Sequence, residues 1–220
     1  MKVAVFDFDG TLYPCETFML LVNQLKEQQG FGTRYYSFAL RYLPIHIKYK
    51  LNLVSKFEMR KQTVEMYMRL FKGLTEERID QFFENIFVKV QGNLNEIVVQ
   101  ELLQAKRDGY YIVLVSGAMK NLLEKLCRDL PLDCIIASEL PIRAGRFDPQ
   151  GNIFYVQGEG KVEKLHEALQ GKTVNWQESI AYADSGSDLP VLELVGKPVC
   201  VAPDEQLRKI AEERSWRVLE

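Results

Sequence analysis

The run Lys2-Val3-Ala4-Val5-Phe6-Asp7-Phe8-Asp9-Gly10-Thr11-Leu12 passes from a short apolar segment directly into two aspartates and a glycine. An apolar stretch of this length and composition reads as a buried strand, Lys2–Phe6. Alternation within extended backbone points Asp7 and Asp9 the same way, and Gly10 lets the chain turn after them. Two carboxylates so placed repel each other unless a cation or a proton lies between them. The alternative is a solvated acidic strand end.

Outward from this run, the same pattern of apolar strand followed by polar residues recurs. Tyr111–Val115, Cys134–Ala137, Ser179–Ala183, Pro198–Ala202 and Arg217–Leu219 read as further strands. Several are near-continuous apolar runs, as expected where both faces of a parallel sheet are covered. Helical periodicity fills the intervals at Leu94–Arg107, Lys120–Asp129, Lys161–Leu169, Leu189–Leu194 and Glu205–Glu213. Strands alternating with helices predict an α/β fold with a doubly wound parallel sheet.

The rhythm fails between the first strand and Leu94. Glu16–Gln29 and Glu76–Val88 have helical spacing, with Thr75 as a helix start, and no partner strand is evident. A connection that long is too large for a loop. It predicts an inserted helical cap domain at 14–91, the core being 1–13 and 92–220. Within it, residues 45–53 (Ile-His-Ile-Lys-Tyr-Lys-Leu-Asn-Leu) alternate apolar and polar, which alone favours a strand. The flanks are helical, and helix is the assignment taken. Arg143–Val156, with turn residues between β-prone pieces, reads as a hairpin overhanging the core.

Three further clusters carry chemistry. Ser116 and Gly117, in Val115-Ser116-Gly117-Ala118, read as a strand end entering a helix, where a hydroxyl and backbone N–H groups can hold a phosphate-sized anion; an ordinary Ser116 cap is the alternative. In Gly158-Glu159-Gly160-Lys161, Lys161 can neutralise a phosphoryl oxygen, or be a solvated surface lysine. In Ala183-Asp184-Ser185-Gly186-Ser187-Asp188, Asp184 can bind a metal and Asp188 can hold its waters or orient Lys161. Here the alternative is a helix capped by Ser185 or Ser187. Ligands of open parallel sheets bind at the carboxyl ends of strands. Acids for a hard cation together with hydroxyl, amide and ammonium donors point to phosphoryl transfer.

This ordered set resembles the haloacid dehalogenase superfamily of phosphohydrolases, with a Rossmann-like core. Asp-Ser-Gly-Ser-Asp-Leu-Pro-Val-Leu (184–192) and Gly-Glu-Gly-Lys-Val (158–162) are similar to its phosphoserine-phosphatase-like branch (subfamily IB), whose members also carry a helical cap after the first motif. The resemblance implies Asp7 as nucleophile and metal ligand, and Asp9 as general acid/base with its carbonyl on Mg²⁺. It implies Ser116, Gly117 and Lys161 on the phosphoryl oxygens, Asp184 as metal ligand, and Asp188 orienting the metal and its waters. A hard, oxygen-rich site suits Mg²⁺ rather than zinc. The expected reaction is hydrolysis of a small phosphomonoester through an aspartyl-phosphate. A phosphotransferase or phosphomutase shares every core motif, and a non-catalytic phosphometabolite-binding protein would have lost at least one of them.

Glu16 stands where phosphoserine phosphatases place a substrate-recognising glutamate, and Arg60 is a candidate for their carboxylate-binding arginine. A carboxylate complementing a helix start is the other reading of Glu16. Ser187 replaces their usual Asn, and the cap is longer, so serine phosphate is one candidate substrate among others.

Residues 34–72 carry nine basic side chains against Glu58 and Glu65, interleaved with aromatics. One reading is a cap that steers an anionic substrate or touches a membrane surface. The plainer one, taken here, is an amphipathic helix pair with lysines extended over it.

With 47% hydrophobic and 26% charged residues, the 220-residue chain can bury a sizeable core. A formal charge of −2 argues against nucleic acid as partner. The four cysteines form no C-x-x-C pair, which fits a reducing compartment. No signal sequence or membrane span is read, and the expectation is a soluble, cytoplasmic protein acting on a small phosphorylated metabolite.

Overall fold

A computed structural model describes residues 1–152 and 156–220. Its strands, in chain order, are β1 (Val3–Phe6), β2 (Tyr111–Met119), β3 (Cys134–Ser138), β4 (Ile142–Arg143), β5 (Arg146–Phe147), β6 (Ile180–Ala183), β7 (Lys197–Val201) and β8 (Arg217–Leu219). The helices are α1 (Thr17–Glu27), α2 (Gly32–Lys50), α3 (Lys56–Met68), α4 (Glu76–Val90), α5 (Glu96–Arg107), α6 (Lys120–Leu126), α7 (Glu159–Ala168), α8 (Leu189–Leu194) and α9 (Glu205–Glu213). Contacts divide the chain into two compact units. One comprises Met1–Thr17, Val90–Ser138 and Val156–Glu220; the other comprises Phe18–Lys89 and the described part of Glu139–Tyr155.

In the first unit, six strands form a parallel sheet in the order β3-β2-β1-β6-β7-β8. Every residue of β1 is buried, consistent with a strand covered on both faces. The register sets Phe6 beside Leu114 of β2 and Tyr182 of β6, so β1 and β6 end close to level while β2 continues five residues past Leu114. The rings of Phe6 and Tyr182 stack at 4.4 Å. The Tyr182 hydroxyl donates to Glu101 of α5 at 2.8 Å, and Glu101 also accepts from Arg217 of β8 at 2.6 Å, tying helix to edge strand. The order reverses around β1, which makes its carboxyl end a topological switch point.

β2 departs from expectation. It runs four residues beyond Val115, with a register irregularity between Val115 and Met119, so Ser116 and Gly117 lie in extended backbone ahead of α6 rather than at its first turn. Side-chain bonds hold this stretch in place of a regular ladder. Ser116 Oγ accepts from the Ala118 N–H at 3.1 Å, and Ser138 Oγ donates to the Gly117 carbonyl at 2.8 Å. Ser116 therefore neither caps a helix nor opens one.

The second unit packs around aromatic rings. Phe71 meets Phe82 and Phe83 at 5.3 and 5.9 Å, and Phe31 meets Phe82 at 5.1 Å. The buried Tyr67 hydroxyl donates to the Leu21 carbonyl at 2.9 Å. α3 begins with a Ser55-x-x-Glu58 sequence in which Ser55 Oγ accepts from the Glu58 N–H at 3.1 Å. Residues 45–50 complete α2, and Asn52, at φ +56°, ends it in the left-handed conformation favoured after helices.

β4 and β5 pair antiparallel around Ala144 and Gly145, whose φ values of +50° and +70° fit a two-residue primed turn. The expected hairpin thus begins at β4. Its continuation through 153–155 lies outside the described residues. It does not extend the sheet: the Glu76 N–H donates to Gly145 O at 2.9 Å and the Phe147 N–H to Leu74 O at 3.1 Å, which places the turn with the helical unit. Among the described residues, no helix is long and apolar enough to cross a membrane.

Candidate active site

Asp7 follows the last residue of β1. Its N–H donates to the Tyr182 carbonyl at 2.9 Å, which extends the ladder one residue past the strand and fixes the backbone at the sheet edge. Asp184 follows the last residue of the neighbouring β6, and Lys161 lies in the first turn of α7, entered through Gly158 at φ +56°.

These elements bring Asp7, Lys161, Asp184 and Asp188 together. Lys161 Nζ donates to Asp7 Oδ1 at 2.7 Å and to Asp188 Oδ1. The three residues are 5%, 8% and 3% exposed for Lys161, Asp7 and Asp188, so the ammonium is not the solvated surface lysine that the sequence left as an alternative. Burial by itself would pull the Lys161 ammonium down, but Asp188 and Asp7 more than offset this and hold it protonated. Burial raises Asp7 well above the usual carboxylate range, with Lys161 acting against the shift and Asp188 with it. Asp184 is pushed up to about 7, by burial first and by the Asp188 charge second.

Asp7, Asp184 and Asp188 can each offer an oxygen within 4.8 Å of the others, a spacing that can hold a metal ion. The sequence resemblance gives Asp9 to the ion through its backbone carbonyl and gives Asp188 an orienting position. The Asp9 carboxylate turns to Thr17, accepting from its N–H at 2.9 Å and from its hydroxyl at 3.0 Å. Burial still pushes Asp9 up to about 6, against the pull of these two bonds.

Neither serine of the last motif caps a helix. Ser185 Oγ lies 2.7 Å from Ser187 Oγ and donates to Asp188 Oδ2 at 3.2 Å, which leaves Asp188 Oδ1 for Lys161. Ser116 is buried, one position beyond the level of Asp7 in the β1–β2 register, with Gly117 next to it. Glu16 is exposed just before α1, and its negative charge contributes to raising both Asp9 and Asp184. Arg60 lies in α3 of the helical unit.

Two positions were not singled out by sequence. Thr17 sits eight residues from Asp9 in a segment read as helix start, and no local pattern marks it as a carboxylate partner. Gly10 was read only as a turn residue. Its φ is +79°, and a Cβ there would stand 2.2 Å from Asp184 Oδ2, so the glycine also makes room for a carboxylate of the cluster.

A family model described as haloacid dehalogenase-like hydrolase matches residues 4–193. A probable phosphatase of Mycobacterium tuberculosis is 34% identical over 112 residues, covering 50% of this chain and 38% of that protein. A phosphoserine phosphatase of Archaeoglobus fulgidus is 23% identical over 211 residues, covering 96% of this chain and 55% of that protein. The chain thus spans less than two thirds of the length of both relatives. Among solved structures, a protein of unknown function from Bordetella pertussis shares the fold, with a TM-score of 0.81 and 22% identity over 100% of this chain and 98% of the other.

Proposed function

Since the chain belongs to the haloacid dehalogenase-like hydrolase family, on its phosphoserine-phosphatase-like branch, we propose that it hydrolyses a small phosphomonoester in two steps, with the phosphoryl group carried between them on Asp7. The observation that carries the reading is the buried Lys161 ammonium bonded to Asp7 and Asp188, with Asp184 beside them. Ion-pair networks also occur as structural features. This one stands at the carboxyl ends of neighbouring central strands, where ligands of such sheets bind.

The donor set is all carboxylate oxygen and contains neither cysteine nor histidine, which fits a hard cation such as Mg²⁺ and not zinc. Asp7 and Asp184, with the Asp9 carbonyl, would hold it, and Asp188 would orient its waters. When bound, Mg²⁺ supplies positive charge against the phosphoryl oxygens.

In the first step a carboxylate oxygen of Asp7 forms a bond to phosphorus as the bond to the leaving oxygen breaks. Asp9, protonated, gives that oxygen its proton. A carboxyl titrating near 6 keeps a protonated fraction close to neutrality, and Thr17 aims it. In the second step Asp9 takes a proton from a water that attacks phosphorus. The bond to Asp7 breaks, inorganic phosphate leaves, and both aspartates return to their starting states. Lys161 offsets charge on the phosphoryl oxygens in both steps, and Ser116 and the Gly117 amide bind them. The helical unit takes the part of a cap, with Glu16 and Arg60 as candidates for recognising the leaving group.

Turnover of p-nitrophenyl phosphate tests the reading. Activity with Mg²⁺, its loss in EDTA, and a drop of about 10³-fold or more in Asp7→Asn are expected. Protein that is inert with Mg²⁺, or an Asp7→Asn variant at wild-type turnover, would overturn it.

A further inference from the structure

A surface helix of a globular protein normally turns one apolar stripe to the core and a polar face to water. α2 has two apolar faces. Phe38 is buried, and Tyr42, Ile45 and Tyr49 are half-buried along one side. Tyr36, Leu40, Leu43 and Ile47 fall on the other side, within an arc of roughly 60° at about 100° per residue. They are 73%, 75%, 56% and 48% exposed, respectively. Leu51, Leu53 and Phe57 carry exposed apolar surface on past the helix end, and seven of the twelve large apolar side chains exposed among the described residues lie between 36 and 57. Scattered single exposures are ordinary; a continuous stripe marks a surface that something covers.

Charge says what. α2 contains Arg34, Arg41, Lys48 and Lys50 and no acidic residue. Arg34 donates to the carbonyls of Leu70 and Lys72, while Arg41, Lys48 and Lys50 are exposed. Residues 34–72 hold nine basic and two acidic side chains, a net +7. The rest of the chain holds 28 − 9 = 19 basic and 30 − 2 = 28 acidic, a net −9. A second copy docked stripe to stripe would set these basic residues against their own equivalents, with no acid on α2 to answer them. An anionic bilayer surface answers both features, taking the apolar stripe among its acyl chains and the basic residues among its phosphates.

We infer that α2 is a docking helix for membranes containing anionic lipid, with Tyr36, Leu40, Leu43 and Ile47 entering the interface. This does not depend on the hydrolysis reading, and its test does not use activity. The full chain is sedimented with vesicles of phosphatidylcholine plus phosphatidylglycerol, and with vesicles of phosphatidylcholine alone, at low and high salt. Binding to the anionic vesicles alone, weakened by salt, is expected. Both Leu40→Gln/Leu43→Gln and Lys48→Glu/Lys50→Glu should lower the partition coefficient at least about tenfold, with helical content by circular dichroism unchanged. These positions are exposed, so the variants should fold. Equal sedimentation with and without vesicles at low salt overturns the inference. So does a dimer in analytical ultracentrifugation that Leu40→Gln/Leu43→Gln dissociates, because a second copy then covers the face.

Discussion

A methyl group at position 10 would meet Asp184 Oδ2 at 2.2 Å on a backbone held at φ +79°. Gly10→Ala is therefore expected to cost about 1–3 kcal/mol of stability and to displace Asp184. Urea unfolding together with turnover checks this, and an alanine variant with unchanged stability and activity contradicts it. Thr17 is the other residue whose part is visible only in three dimensions. Thr17→Val keeps the volume and the backbone N–H bond to Asp9 but removes the 3.0 Å hydroxyl bond. It should lower kcat about tenfold with little change in KM, because it disturbs the aim of the proposed proton donor and not substrate binding. Asp7, Lys161, Asp184 and Asp188 were singled out from sequence because each stands just past a strong strand signal or at the start of a helical one. Thr17 was not, since its only mark is a contact with a residue eight positions away across an irregular segment.

At the scale of elements, the alternation in residues 45–53 shows how a period can mislead. Steps of two residues along a helix turn the chain by about 200°, so a helix with apolar surface on both sides alternates much as a strand does. Ile45 and Tyr49 lie on the packed side of α2 and Ile47 on the exposed one. The strand-like signal and the surface inferred to meet a membrane have the same origin. β2 failed to end where expected because Ser116 and Ser138 hold its last residues by side-chain bonds, which strand periodicity does not register.

The tie between α5 and β8 adds a pH dependence. Hydrogen bonding from Arg217, and also from Tyr182, lowers Glu101 below its ordinary carboxylate value against some desolvation. Its folded pKa lies under the unfolded one, so its contribution to stability is present above the ordinary carboxylate value and is lost as pH falls through the lowered one. Glu101→Gln should flatten the acid limb of the stability curve, measured as urea midpoints from neutrality down to about pH 3. A limb as steep as wild type would show that the tie contributes nothing.

Across the whole molecule, the parallel sheet and the insertion of helices after the first strand were legible because buried strands and long gaps leave strong signals. The affiliation of β4 and β5 with the helical unit was not, since it rests on two backbone bonds and one bridge between residues some 70 positions apart. Metal binding should act on the fold as a whole through linkage. Mg²⁺ at about a hundred times its dissociation constant should raise stability about 2.7 kcal/mol, seen as a rise in Tm. Asp184→Asn should show little of that rise; an equal rise in the variant would place the ion elsewhere.

The central claim is that Asp7 carries the phosphoryl group. Acid quench during turnover of a phosphomonoester, followed by peptide mass spectrometry, tests it most directly. The prediction is one phosphoryl mass on Asp7, absent in Asp7→Asn. A phosphoryl group on any other residue, or none on Asp7 in a sample shown to be turning over, would contradict it.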